Sequence, residues 1–249
     1  MFSSLKVRIS QGRQYIVDLR KASPAGFRGL PVIRATACEA GCTACLPVCP
    51  TGAIALDPVR IDLGRCTFCR ECELACPVNK IGFTNGFKMA SDTREGLVVR
   101  EGAGEPSPVK VSQGLKQLFG RSLKLRSVSS GGCNGCELEL NAASNVNFDM
   151  SRYGIDFVAS PRHSDAVVIS GPLTKHMHEA LERAWLGLPD PKFVISFGAC
   201  AISGGLYADS PELDRGFLGR FTPSLYVPGC PPHPLTFIVG LMDLLGIQG

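Results

Sequence analysis

Twelve cysteines constrain this chain more than any other feature, because they fall into three sets of four. The first set is Cys38, Cys42, Cys45 and Cys49, in CEAGCTACLPVCP, and the second is Cys66, Cys69, Cys72 and Cys76, in CTFCRECELACP. These two compact quartets form an internal repeat, each ending in Cys-Pro, with TGAIALDPVRIDLGR between them. The third set is dispersed: Cys133 and Cys136 in SSGGCNGCELEL, Cys200 in FGACAISGG and Cys230 in VPGCPP. No cysteine is left over. The start of the chain, MFSSLKVRISQGRQYIV, lacks the long apolar region and cleavage site of a secretory signal, and lacks a twin-arginine start. The expected location is therefore cytoplasmic, where thiols stay reduced, and twelve cysteines there argue for metal.

A 4Fe–4S cluster needs four thiolates, and a Cys-x2-Cys-x2-Cys run wraps three corners of it in one tight loop. The compact quartets resemble the two-cluster bacterial ferredoxin pattern, in which the fourth corner comes from the other repeat. That resemblance implies one cluster on Cys38, Cys42, Cys45 and Cys76, and another on Cys49, Cys66, Cys69 and Cys72. The second quartet matches fully. The first departs from the pattern, because three residues rather than two separate Cys38 from Cys42, which an added residue bulging at Glu39, Ala40 or Gly41 would accommodate. Structural zinc is the competing reading for both quartets and for the dispersed set.

At 249 residues the chain has room for two domains, and 45% hydrophobic with 19% charged residues is ordinary for a globular protein. The longest apolar stretch, FIVGLMDLLGI, is interrupted by Asp243 and falls short of the ~20 residues that cross a bilayer, so it reads as a buried helix. The formal charge is +4, which three oxidised clusters at about −2 each would more than cancel. No nucleic-acid partner is expected from it. The basic residues gather in an N-terminal arm, 1–34, as Lys6, Arg8, Arg13, Arg20, Lys21, Arg28 and Arg34 against a single acid, Asp18.

The expected organisation is a basic arm (1–34), a ferredoxin-like domain (35–90), a Gly/Ser/Pro-rich linker with one hairpin (91–114), and an α/β domain (115–249). SQGLKQLFGRSL reads as a short amphipathic helix, docked either on a partner or membrane surface or on its own domain. Beyond it, LKLRSVS, IDFVAS, DAVVISG, KFVISFG and SLYVPG read as strands, and ELELNAASN, TKHMHEALERAWLG and PHPLTFIVGLMDLLG as helices. This alternation predicts a doubly wound, flavodoxin-like parallel sheet. Cys133, Cys200 and Cys230 each follow a predicted strand and Cys136 sits beside the first, so all four are expected at one sheet edge. Surrounding glycines permit close backbone approach, and a helix starting near Glu137 would point its positive end at an anionic cluster.

GGCNGCELEL, PRHSDAVVISG, FGACAISGG and PGCPP resemble the small subunit of membrane-bound, energy-converting NiFe-hydrogenases of the formate-hydrogenlyase type, over residues 115–246. These are relatives of the 20 kDa subunit of respiratory complex I, which has two adjacent cysteines where this chain has Cys133-Asn-Gly-Cys136. The resemblance implies a third 4Fe–4S cluster on Cys133, Cys136, Cys200 and Cys230. It implies a large-subunit partner that carries the nickel–iron centre, integral membrane subunits, and a ferredoxin or formate-dehydrogenase-type electron donor. The chain would then lie peripherally on the cytoplasmic side of the membrane. The competing readings are a nickel-free quinone- or sulfane-reducing relative and a free-standing electron carrier.

Outside the cysteines, Glu137 is a candidate proton relay, as is Glu139, against a capping or solvated role. Arg162 and His163 are candidates for hydrogen bonds to the third cluster, and His233 is a weaker one. His176 and His178 are expected on an exposed helix, and Trp185 in the core or at an interface. No phosphate-binding loop or nucleophile–base set is apparent.

Overall fold

The computed structural model describes residues 2–12, 14–102 and 109–248. Arg13 of the basic arm and 103–108 of the stretch read as a linker lie outside the described residues, as do Met1 and Gly249. An exposed helix, α1 (Phe2–Gln11), begins the chain. The repeat then folds as short antiparallel strands: β1 (Pro31–Ile33), β2 (Ile54–Ala55), β3 (Arg60–Asp62), β4 (Ile81–Phe83) and β5 (Val98–Arg100), with a single turn of helix, α2 (Glu71–Leu74), inside the second quartet. β1 pairs with β4, and β2, β3 and β5 pair in that order. Ile54 and Ile81 open equivalent strands shortly after each Cys-Pro. They meet Ile33, Ile61, Leu63 and Leu97 in one small core.

Two boundaries differ from the sequence reading. Residues 14–34 do not form a free arm: the Ile16 amide donates to the Asn147 carbonyl at 2.9 Å, Leu19 is buried, and Pro31–Ile33 is a strand. Leu19 and Leu30, interleaved with the basic residues, bury themselves, and Lys21, Arg28 and Arg34 stay at the surface. Nor is the start of the 91–114 stretch a linker, because β5 pairs with β3 and Ser91 bridges to Tyr226. Leu97 and Val99 supply the buried side chains that fix this strand.

The second unit runs through α3 (Gln113–Phe119), β6 (Leu123–Ser129), α4 (Gly135–Ala143), β7 (Ile155–Phe157), β8 (Ala166–Ser170), α5 (Lys175–Gly187), β9 (Phe193–Phe197), α6 (Ala199–Ser203), α7 (Gly216–Arg220), β10 (Leu225–Val227) and α8 (Pro234–Leu245). Its five parallel strands lie in the order β10-β9-β8-β6-β7, which is the flavodoxin-like order with its switch point between β6 and β8. β8 and β9 are buried along their whole length, as strands covered on both faces must be. Ala166 and Val168 face a core shared with α8, while Val167 and Ile169 face Leu181, Trp185 and Phe217. The α3 helix packs on α8 through Phe119, so it docks on its own domain, although Leu118 remains exposed. Among the described residues no helix is long and apolar enough to cross a membrane.

α8 is the central pillar. Phe237, Ile238, Leu241 and Met242 are fully buried, and side chains of this kind each contribute roughly 1.5–3 kcal/mol on burial. Its one charge, Asp243, is met by the Arg20 guanidinium, which also donates to the Ile247 carbonyl at 2.9 Å. Arg20→Met is expected to cost about 1–3 kcal/mol, because it leaves a carboxylate half-buried without its partner. The effect should appear as a lowered Tm, whereas Lys21→Met, at a side chain 86% exposed, should leave Tm unmoved.

Candidate iron–sulfur sites

Ser129, Ser170, Phe197 and Val227 stand side by side across four strands, so the loops that follow them leave the sheet from one line. Three of these loops carry cysteines. Cys133, Cys136, Cys200 and Cys230 line a single cavity of about 70 Å³ with apolar walls. Cys133 and Cys230 are exposed, whereas Cys136 and Cys200 are half-buried. The close approach depends on Gly198: its φ is +92°, and a Cβ there would lie 2.8 Å from Cys136 Sγ. α4 starts at Gly135, directly after Asn134 in the left-handed region, so its positive end lies at the cysteine pair.

Burial, the neighbouring Glu137 and the other three cysteines push the Cys136 thiol far up. Burial, with Cys230 and Cys133, takes Cys200 up to about 11, and Arg215 opposes that rise. Cys136, Cys200 and Cys230, whose thiols burial pushes up, line with Cys133 an apolar cavity where a cationic iron core would draw thiolates, releasing protons as it binds. Arg215 donates to the carbonyls of Pro172, Cys200, Ala201 and Ile202 at 2.8–3.3 Å, and so ties down the end of α6.

The compact quartets interleave. Cys38, Cys42, Cys45 and Cys76 line one cavity with Val59, Val78, Lys80 and Ile81. Cys49 lies with Cys66, Cys69 and Cys72, close enough that after burial their mutual repulsion raises Cys66 to about 12 and Cys72 to about 11. The extra residue in the first quartet is absorbed at Gly41, whose φ is +71°, in a turn where the Cys42 amide donates to the Glu39 carbonyl at 3.0 Å. Backbone amides point at sulfur: Ala53 to Cys49 and Lys80 to Cys76, each at 3.2 Å, and Phe68 to Cys66 at 3.3 Å. Burial pushes Cys76 up, but the amides of Ile81, Lys80 and Val78 outweigh it and hold the thiol below its ordinary value. Among the described residues no three His, Cys, Asp or Glu side chains form a group able to hold a single metal ion. Mononuclear zinc would need its ligand atoms gathered at about 2–2.3 Å from one point.

The remaining candidates separate. Glu137 Oε1 accepts from Ser170 Oγ at 2.6 Å; burial raises the carboxyl, but the hydroxyls of Ser170 and Ser129 outweigh it and hold the group below the usual glutamate range. Burial alone raises Glu139. His233 caps α8, its Nδ1 accepting from the Leu235 amide at 3.1 Å, and its ring lies against Phe27 and Phe148. Arg162 and His163 do not approach the third site. They occupy a turn beside Gly187 at the end of α5, on the opposite edge of the sheet, because the chain must run back to start the parallel strand β8. His176 is exposed, and His178 Nδ1 meets Asp214 at 2.9 Å. Trp185 is core, packed on Phe217 and Phe221. Sequence reasoning missed Ser170 and Arg215: the first closes an ordinary buried strand, and the second lies in a loop, PELDRGFLG, without a motif.

Four thiols at the switch-point edge of a doubly wound sheet, docked on a two-quartet unit, define an iron–sulfur electron-transfer protein. Residues 24–80 match the 4Fe-4S dicluster domain, and residues 133–244 match the family described as NADH ubiquinone oxidoreductase, 20 Kd subunit. The chain belongs to this 20 kDa subunit family. It is 37% identical over 155 residues to formate hydrogenlyase subunit 7 of Escherichia coli (strain K12), covering 59% of this chain and 61% of that one. It is 39% identical over 129 residues to the probable membrane-bound hydrogenase subunit mbhJ of Pyrococcus furiosus, covering 51% and 77%. It is 40% identical over 109 residues to a subunit of the NADH-quinone oxidoreductase of Geotalea uraniireducens, covering 44% and 64%. The chain thus spans less than two thirds of the length of the first and third of these relatives. Among solved structures, that of the membrane-bound sulfane sulfur reductase, an archaeal respiratory membrane complex, matches with 27% identity and a TM-score of 0.46, covering 53% of this chain and 73% of that one.

Proposed function

We propose that this chain is the iron–sulfur electron-transfer subunit of a membrane-associated NiFe-hydrogenase complex. It would relay electrons between a ferredoxin- or formate-dehydrogenase-type donor and the nickel–iron site of a large subunit, with integral membrane subunits anchoring the assembly. The observation that carries this reading is the third cavity. Its cysteine pair has the hydrogenase Cys-x2-Cys spacing, and the exposed Cys133 and Cys230 open it toward a partner. Similarity supports the same side, since the matches to the formate hydrogenlyase subunit and the probable membrane-bound hydrogenase subunit run over 155 and 129 residues against 109 for the quinone-oxidoreductase subunit.

In this reading Cys38, Cys42, Cys45 and Cys76 hold one 4Fe–4S cluster, Cys49, Cys66, Cys69 and Cys72 a second, and Cys133, Cys136, Cys200 and Cys230 a third. When bound, the clusters supply one-electron transfer. The chain's own work is to aim amide donors at the sulfurs of the two compact sites, to wall the third site with apolar groups, and to present that third site at a subunit face. Glu137, anchored by Ser170 at that face, is the proposed proton relay.

Anaerobic purification of the native complex with metal analysis tests the reading. Roughly twelve irons per copy of this chain beyond the partner's own, with nickel in the large subunit and hydrogen turnover, are expected. The same assembly without nickel assigns the chain to the quinone- or sulfane-reducing relatives instead.

A further inference from the structure

The two halves of the ferredoxin-like unit contain an internal control. Aligning Cys49 with Cys76 sets Pro-Thr-Gly-Ala-Ile against Pro-Val-Asn-Lys-Ile, so that Ala53 corresponds to Lys80. The backbone is the same in both halves. Gly52 and Asn79 take φ of 57° and 50°, and the next residue donates its amide to the cysteine sulfur at 3.2 Å in each. Both side chains are buried, 4% exposed at Ala53 and 3% at Lys80. One half therefore buries a methyl group where the other buries an ammonium.

Packing does not call for that ammonium. Taking a charge out of water costs several kcal/mol, and an apolar side chain of similar volume often serves stability as well or better. Lys80 is held by partners that lead to the cysteines. Its Nζ donates to the carbonyl of Thr36, two residues before Cys38, at 2.6 Å and pairs with Glu101 at 2.8 Å. Its backbone is on Cys76, and the residue lines the cavity of Cys38, Cys42, Cys45 and Cys76. Two arginines also lie near these sites, Arg34 on the Asn79 carbonyl and Arg28 on the Cys69 carbonyl, but both are exposed and screened by water. Lys80 is the buried one.

A site that gains a negative charge on reduction is easier to reduce beside a fixed, buried positive charge, and the Glu101 carboxylate on Lys80 offsets part of that effect. We infer that Lys80 separates the two ferredoxin-type sites in potential, placing the cluster on Cys38, Cys42, Cys45 and Cys76 above the one on Cys49, Cys66, Cys69 and Cys72. It acts as a positioning residue as well, holding the Cys38 segment against Cys76 through Thr36. This inference rests on the ligand sets of the proposed function.

Potentiometric titration of the full-length chain, followed by electron paramagnetic resonance and paired with iron analysis, tests it. Lys80→Met should lower one ferredoxin-type potential by about 59 mV, a tenfold change in a one-electron equilibrium, and leave the other in place. Lys80→Arg should restore it, and Glu101→Gln should raise the same signal. Cys38→Ser should perturb that signal and Cys49→Ser the other. Full iron content with both potentials unmoved in Lys80→Met overturns the inference. If Lys80→Met fails to retain iron, Glu101→Gln decides, and the absence of an upward shift overturns it. A wild-type chain with fewer than two ferredoxin-type signals defeats the ligand sets themselves, which is a separate result.

Discussion

Replacing Cys200 or Cys230 by serine is expected to remove about four irons per chain and all hydrogen-linked electron transfer, while the two ferredoxin-type signals survive. The third cavity draws its four thiols from three separate loops, so once Cys200 or Cys230 is lost no run of backbone holds more than the two corners of Cys133 and Cys136. A serine hydroxyl keeps the volume but not the soft, easily ionised sulfur that iron requires. Because cluster binding contributes directly to folding free energy, the Tm of the second unit should fall as well. The compact quartets lie in a different core, so their iron is expected to stay. Iron assay and low-temperature resonance spectra of anaerobic material read the result. Unchanged iron in both variants would remove the cysteines from the ligand set and the proposed function with them.

Much of this arrangement is legible in the primary structure because two periodicities coincide. Short apolar, β-branched runs such as AVVIS and FVISF, bounded by turn residues, read as strands covered on both faces, and the helices between them favour a parallel arrangement. Cysteines placed just after such strands then arrive at a single edge without any knowledge of register. The same logic fails where a loop returns to the other edge. Arg162 and His163 also follow a strand, but the three-residue β7 ends level with the middle of β6, and the chain turns back before β8. A strand's length and register, which decide where its loop emerges, are tertiary properties that alternation alone does not encode.

Segments with mixed composition were the other blind spot. Residues 14–34 carry enough charge to read as an arm, yet Leu19 and Leu30 are buried and Arg20 neutralises the one acid of α8. The partner of Arg20 lies at the far end of the chain, and no local pattern predicts such a contact. The Gly/Ser/Pro-rich stretch after residue 91 hides a three-residue strand for the same reason: β5 is too short to show alternation and exists because β3 offers it an edge. Arg215 belongs with these, a charge whose role is set wholly by what it reaches in space.

Arg215→Met is expected to be the most damaging substitution outside the cysteines. α6 is only five residues long, so the Ala201 and Ile202 carbonyls at its end have no partners within the helix, and the guanidinium supplies them while adding a second donor to the Cys200 carbonyl, which the Gly204 amide also meets. Its charge also lies at the negative end of the helix, where a cation is favoured. Hydrogen bonds from a charged group contribute about 1.5–3 kcal/mol each, and carbonyls left orphaned add their own penalty. With the partial exposure of the side chain discounted, the expected loss is about 2–4 kcal/mol. The damage should not stay local. Cys200 on this helix lines the third cavity, while Ile202, two residues on, packs into the core of the ferredoxin-like unit. Loosening α6 therefore disturbs both the site and the seat of one unit on the other, so iron content and Tm should fall together. Arg215→Lys should recover only part of the loss, because an ammonium cannot reproduce the planar fork that spans several carbonyls. A methionine variant with wild-type iron and Tm would show that α6 holds its cysteine without this clamp.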